Sequence, residues 1–132
     1  MDNVNLTEAT LLTSKYTSLN NKNFLYNSVK LKVSAPFKQP FYNQRAFGYQ
    51  TDFLRGYEYY VVDGQQFLLN RTEIKHKLLN AQLPMRNNAF WRMQNFPNVP
   101  LKMFLKIFFD VGYVNDDYYY KLNRLNNTWL YS

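Results

Sequence analysis

The sequence contains no cysteine and a single histidine, His76. The absence of cysteine excludes thiol catalysis, zinc–thiolate sites and disulfide bonds. One histidine, placed among the apolar residues of an alternating segment, provides neither a histidine-rich metal site nor a catalytic triad. The sequence also has no glycine-rich loop of the kind that cradles a phosphate. We therefore expect no metal, no cofactor, no small-molecule substrate and no catalytic residues, and we predict that the protein is not an enzyme.

Long apolar runs are also missing from the sequence. No stretch approaches the roughly 20 apolar residues that a membrane-spanning helix requires. This absence does not exclude a transmembrane β-barrel, because a barrel strand needs only about 9–11 residues of alternating character.

The composition is that of a folded chain with an excess of positive charge. The hydrophobic fraction of 46% in 132 residues argues against wholesale disorder and indicates one domain or part of one. The formal net charge of +7 is compatible with a nucleic-acid-binding protein. The 16 lysines and arginines are scattered, however, and many share strand faces with Tyr, Ser and Asn. A barrel wall that faces water would have the same appearance.

Three segments alternate between apolar and polar residues: 24–34, 66–79 and 103–114. In each, one parity forms a row of apolar residues and the other carries the charged residues, which is the period of a strand with one wet face. Residues 7–19 and 128–131 also favour strands. The sequence thus predicts an all-β fold of about four to five antiparallel strands.

Two long connections separate the predicted strands. Residues 36–64 form a stretch far longer than an ordinary hairpin loop, and its many aromatic residues predict that it folds against the strands. Residues 80–102 are predicted as a loop, because Pro84, Pro97 and Pro100 interrupt regular structure. The aromatic residues of this predicted loop are Phe90, Trp91 and Phe96. We expect them either to anchor at a membrane interface or to pack as in an ordinary loop.

The long connection contains Arg55, and two of the alternating segments contain a carboxylate on the polar parity. These carboxylates are Glu73 and Asp110. If the apolar parity faces lipid, both point to the inside of a barrel, where an inward-folded connection would bring Arg55 to them in a charge-assisted contact. The alternatives are that Arg55 and Asp110 are surface charges, or that the two carboxylates form an acid–base pair. We favour a structural ion pair over acid–base chemistry.

Two short motifs in the sequence resemble motifs of the BamA-like outer-membrane assembly proteins, the bacterial surface-antigen superfamily. Leu54-Arg55-Gly56-Tyr57 is similar to the family motif at the tip of the sixth extracellular loop. Phe108, Asp110 and Gly112 are similar to a second family motif, on a later strand, which contacts that arginine. Residues 40–48 and 55–64 look like the Bacteroidetes branch of the family. The resemblance implies that Arg55 locks the inward-folded loop to Glu73 and Asp110, with Gly56, Tyr57, Phe108 and Gly112 around the contact.

The resemblance also implies a larger parent protein. Residues 1–132 would be part of the carboxy-terminal transmembrane β-barrel, without the periplasmic POTRA repeats or the final strands of the family. The first residues do not have the character of a secretory signal peptide. The parent would reside in the bacterial outer membrane and insert other outer-membrane proteins. Its partners would be outer-membrane lipid, client proteins and other subunits of the assembly complex, and not nucleic acid.

Two other functions are compatible with the sequence. A translocation-type barrel shares the same motifs. A soluble, basic and aromatic-rich β-domain that binds single-stranded nucleic acid would need aromatic and basic residues on one sheet face. In residues 103–114 most large apolar residues lie on the parity opposite Lys106, which counts against the second of these functions.

Overall fold

The computed structural model describes residues 5–36, 40–49, 51–84, 98–117, 121 and 123–132. The described part of the chain contains strands, turns and a short 3-10 helix at Phe41–Asn43, with no α-helix. The strands are β1 (Thr7–Ser18), β2 (Asn23–Ala35), β3 (Arg45–Phe47), β4 (Val62–Asp63), β5 (Gln66–Pro84), β6 (Asn98–Asn115) and β7 (Trp129–Tyr131). No helix in these ranges has the length and apolar character to cross a membrane.

Five of the strands form one antiparallel sheet in the order β1-β2-β5-β6-β7. This confirms the predicted all-β, antiparallel fold class. Strands β3 and β4 form a separate two-stranded sheet within the long connection between β2 and β5. Because that connection joins two neighbouring strands, it acts as a very long hairpin loop that lies across one face of the main sheet.

The turn between β1 and β2 follows from the residues that form it. The side-chain oxygen of Asn20 accepts hydrogen bonds from the backbone N–H groups of Lys22 and Asn23, at 2.9 and 2.7 Å. Asparagine commonly stabilises turns in this way. As a result, β1 and β2 pair without slippage from Thr7 opposite Ala35 to Ser18 opposite Phe24.

The prediction of a loop over residues 80–102 is wrong at both ends. Residues 80–84 belong to β5 and residues 98–102 belong to β6, where Pro100 lies opposite Gln82. Proline lacks the N–H that a centrally paired strand needs. Since β7 pairs with β6 only at residues 111–113, Pro100 lies where β6 has a described partner on one side alone. Phe90, Trp91, Phe96 and Pro97 lie outside the described residues.

The two faces of the main sheet differ in their surroundings. One face, here called the inner face, carries the long connection, and the hydrophobic core lies between the two. The core consists of Ala46, Phe47, Leu54, Val62, Phe67, Leu69, Val114 and Leu130. The opposite, outer face exposes apolar side chains, among them Leu31 at 37% and Ile107 at 62% of their full accessible area. The predicted apolar parities therefore lie on the face that the connection does not cover.

Candidate functional site: the contact between Arg55 and the inner face

A tight turn in the long connection presents Arg55 to the sheet. The backbone N–H of Tyr57 donates to the carbonyl of Leu54 at 2.9 Å, so Arg55 and Gly56 are the two central residues of the turn. Gly56 has a φ of +85°, a value that glycine adopts without steric cost and that a type II turn requires at this position. The carboxylate of Glu58 accepts a hydrogen bond from the N–H of Gly56 at 2.9 Å. The Arg-Gly pair thus sets the backbone direction that points the guanidinium inward.

The guanidinium of Arg55 contacts two carboxylates from two different strands. Its Nε donates to Oδ2 of Asp110 on β6 at 2.6 Å, and its Nη2 donates to Oδ1 of the same carboxylate. Its Nη1 donates to Oε1 of Glu73 on β5 at 2.7 Å. The structure therefore brings together the three charged residues that the sequence singles out. The paired bonds to Asp110 are the bidentate geometry that only arginine provides.

This contact is largely removed from water. Asp110 has no exposed area, and the side chains of Arg55 and Glu73 are exposed at only 16% and 14%. The hydrogen bond to Asp110 raises the pKa of Arg55 above its usual value, so the guanidinium stays charged. A buried carboxylate without such a partner would be strongly destabilising. Asp110 and Arg55 therefore depend on each other for a low-energy docked state.

Three further residues surround the contact. The ring of Phe108 lies beneath the guanidinium, with 4.2 Å from Cζ of Arg55 to the ring centroid, which is within the range of a cation–π interaction. Lys106 donates from Nζ to Oε1 of Glu73 at 2.9 Å. The contact of Lys106 with Glu73 was not predicted from the sequence, although Lys106 lies on the same strand parity as Phe108 and Asp110. Nζ of Lys75 lies 3.8 Å from Oε2 of Glu73, so three cations surround the two carboxylates.

Gly112 and Tyr57 occupy the apolar side of the site. A Cβ atom placed on Gly112 would lie 2.7 Å from Cε2 of Phe47 and 3.3 Å from Cδ1 of Leu54. Gly112 therefore allows the connection to approach β6 closely. Tyr57 packs against the hydrophobic core, and its ring lies 5.9 Å from that of Tyr60. The predicted contact residues thus divide into a charged group around Arg55 and an apolar group beside it.

The geometry favours a structural contact over acid–base chemistry. Arg55 binds both carboxylates at once, and Lys106 binds one of them, so neither is left as a free proton acceptor. Among the described residues, no three His, Cys, Asp or Glu side chains come together in a group that would bind a metal ion. What the arrangement does chemically is to hold the tip of the connection against β5 and β6.

A second feature of the inner face is a row of lysines and aromatic rings beyond Glu73, here called the basic aromatic patch. It comprises Tyr16, Phe24, Lys75, Lys77, Phe104, Lys106 and Phe108. The ammonium of Lys75 lies 5.9 Å from the ring of Tyr16, and that of Lys77 lies 5.8 Å from the ring of Phe24. On β6, Phe104 and Phe108 share a face with Lys106, while Ile107 and Phe109 lie on the outer face. Aromatic and basic residues therefore do meet on one face.

No family model matches the chain, and neither a curated protein nor a solved structure matches it. Its similarity to the BamA-like family therefore stays an expectation that rests on the two short motifs.

Proposed function

We propose that the chain is part of an outer-membrane β-barrel of the BamA-like assembly type, and that Arg55 locks the inward-folded connection to the barrel wall. The observation that carries this proposal is the joint contact of Arg55 with Asp110 and Glu73. The residues of the two motifs meet across 55 positions of the sequence, in the manner that the resemblance implies. No covalent chemistry and no cofactor enter this function.

The two faces of the sheet also support a barrel wall. The outer face exposes rows of apolar side chains, as a surface in contact with lipid should, and its polar residues Asn27, Asn70 and Thr72 hydrogen-bond to one another. The inner face carries Lys, Arg, Glu and Asp side chains, which suit a lumen that holds water and a folded-in loop. In a barrel, the outer-membrane lipid would cover the exposed apolar side chains, and the connection would fill part of the lumen.

The role in assembly follows from the lock. By the proposal, the docked connection keeps β5 and β6 in a fixed relation, and this holds the barrel wall in a shape that receives client proteins. Clients would be unfolded outer-membrane proteins, and other subunits of the assembly complex would bind parts of the parent outside these residues. Release of the connection would lower the rate of client insertion without abolishing the sheet.

Depletion of the protein in cells tests this function. The proposal predicts that the protein fractionates with the outer membrane and that depletion lowers the amount of other folded, heat-modifiable outer-membrane barrels. Arg55→Ala should fail to restore them, whereas Arg124→Ala, which alters an exposed arginine, should restore them. Unchanged barrel levels after depletion would contradict the assembly function. A specific loss of one secreted protein with normal barrel levels would indicate the translocation type.

The basic aromatic patch favours a second candidate function, binding of single-stranded nucleic acid. Exposed rings such as Tyr16, at 55%, and Phe108, at 45%, lie among lysines, and stacking rings with backbone-neutralising cations are what such a surface needs. Titration of a short single-stranded oligonucleotide decides between the two. Saturable binding that weakens steeply with salt and is reduced by Lys77→Ala would support this candidate. The barrel proposal predicts no saturable binding.

A further inference from the structure

The connection makes a second tight turn immediately before Leu54. The N–H of Gly48 donates to the carbonyl of Asp52 at 2.7 Å, and the N–H of Asp52 donates to the carbonyl of Tyr49 at 2.9 Å. These bonds close the chain on itself three residues before Arg55. The position of this turn on the sheet therefore determines where Arg55 starts its approach to the carboxylates.

Two cations of the sheet hold this turn. Arg71 on β5 donates from Nη2 to the carbonyl of Thr51 at 2.8 Å and to the carbonyl of Phe53. Its guanidinium also lies 4.9 Å from the ring centroid of Phe53. Lys30 on β2 lies 2.6 Å from each oxygen of the Asp52 carboxylate. Three consecutive residues of the connection are thus bound by two neighbouring strands.

The polarity of this contact is opposite to that of the Arg55 contact. At residues 51–53 the sheet supplies the cations and the connection supplies the acceptors. At Arg55 the connection supplies the cation and the sheet supplies the carboxylates. Arg71 and Glu73 are two residues apart on the same face of β5, which places their Cα atoms about 7 Å apart along the strand. One short length of β5 therefore contributes to both contacts.

We infer that Arg71 and Lys30 are positioning residues, which fix residues 51–53 on the sheet so that Arg55 meets Asp110 and Glu73. The consequence for client insertion rests on the proposed assembly function, whereas the positioning itself does not. An isolated arginine contact must order a long side chain and a long loop together. When residues 51–53 are already bound to the sheet, only the Leu54–Tyr57 turn must still become ordered for Arg55 to reach the carboxylates.

Thiol labelling provides the test, because the chain has no cysteine of its own. Leu54 is fully buried between the two contacts, so a Leu54→Cys thiol reacts only when the connection leaves the sheet. In the purified protein in detergent micelles, Arg71→Gln should raise the labelling rate about tenfold or more, the factor expected from losing hydrogen bonds to a charged group. Arg71→Lys should give an intermediate rate, and the control Arg124→Gln should give no change.

A second probe separates loop release from general unfolding. Val114 is fully buried on β6 beside Gly64, at the base of the connection, so a Val114→Cys thiol should remain protected in the Arg71→Gln protein if only the tip at residues 51–57 leaves the sheet. If Arg71→Gln does not fold, the same comparison is made with Arg71→Lys and with Lys30→Gln. An unchanged rate for the thiol at position 54 in variants that fold, or equal rate increases for the thiols at positions 54 and 114, would overturn the inference. Selective labelling of the thiol at position 54 with normal outer-membrane barrel levels in cells would leave the positioning role intact and contradict the assembly function.

Discussion

Nε of Arg55 lies 2.6 Å from Oδ2 of Asp110, although 55 positions separate the two residues in the sequence. The connection leaves β2 and returns at β5, which are neighbours in the sheet. At its tip it nevertheless passes over β5 and contacts the next strand, β6. Arg55 thus ties a long hairpin connection to a strand that the connection does not directly join. Residues 45–62 of the connection also supply half of the hydrophobic core.

Gly112→Ala should destabilise the docked connection. Its new Cβ would lie 2.7 Å from Cε2 of Phe47, which is closer than real contacts allow. Overpacking of this kind costs about 1–3 kcal/mol, and urea unfolding in detergent should show a loss of that size. Phe47→Leu should restore part of the loss in the double variant. Phe47→Leu should not restore stability to Gly56→Ala, because that variant is destabilised by the positive φ at residue 56 and not by a contact with Phe47.

The stability of the protein should decline at alkaline pH through Tyr49. Burial and the hydrogen bond to Asp63 raise the pKa of Tyr49 to about 12 in the folded state. The unfolded chain loses the same proton near pH ~10, so this contribution is present below pH ~10 and is lost as the pH rises through about 12. The protein should have a higher free energy of unfolding than Tyr49→Phe at lower pH. This difference should shrink as the pH rises to about 12. A difference that stays constant with pH would contradict the role of this hydroxyl.

Neighbouring cysteines at residues 106 and 107 should report the two faces of the sheet. Ile107→Cys places a thiol on the apolar outer face, and Lys106→Cys places one on the inner face. In the membrane-embedded protein, the first should react with a lipid-soluble maleimide and the second with a water-soluble one. Equal reaction of both thiols with the water-soluble reagent would show that the outer face is in contact with water.

The faces of the strands could be predicted from the sequence, whereas their ends and register could not. The parities of β5 and β6 placed Glu73 and Asp110 on one face, because the Lys, Arg, Asp and Glu residues of each alternating segment share one parity. The end of β5 and the start of β6 were missed, since Pro84 and Pro100 are compatible with a strand that is paired on one side only. The strands β3 and β4 contain only three and two residues, which is too short for an alternation signal.

The same limit explains which site residues were missed. Lys106 reaches Glu73 because the register places Phe108 opposite Glu73 and so makes Lys106 a diagonal neighbour on the same face, and no sequence spacing reveals a register. Arg71 binds backbone carbonyls of the connection. Every residue has such a carbonyl, so the sequence does not show which ones accept a hydrogen bond. Glu73 and Asp110 were placed on one face by strand parity, whereas their contact with Arg55 was predicted because two short motifs resemble those of the BamA-like family.

Arg55→Lys should rescue only part of the loss caused by Arg55→Ala. Lysine keeps the positive charge, but it has no planar fork to bond both oxygens of Asp110 while it also reaches Glu73. We expect an intermediate labelling rate at a Leu54→Cys thiol, between those of the parent protein and the alanine variant. Full protection in the lysine variant would show that charge alone holds the connection.

The most direct test of the lock is the coupling free energy between Arg55 and Asp110, measured with Arg55→Ala, Asp110→Asn and the double variant. Asp110 is fully buried, and removing one partner of a buried pair costs about 3–5 kcal/mol. Residues in direct contact couple by about 0.5–3 kcal/mol, so the double variant should lose less stability than the sum of the single variants. The loss is measured by urea unfolding in detergent. Strictly additive losses would mean that Arg55 and Asp110 do not hold the connection together, and would contradict the lock.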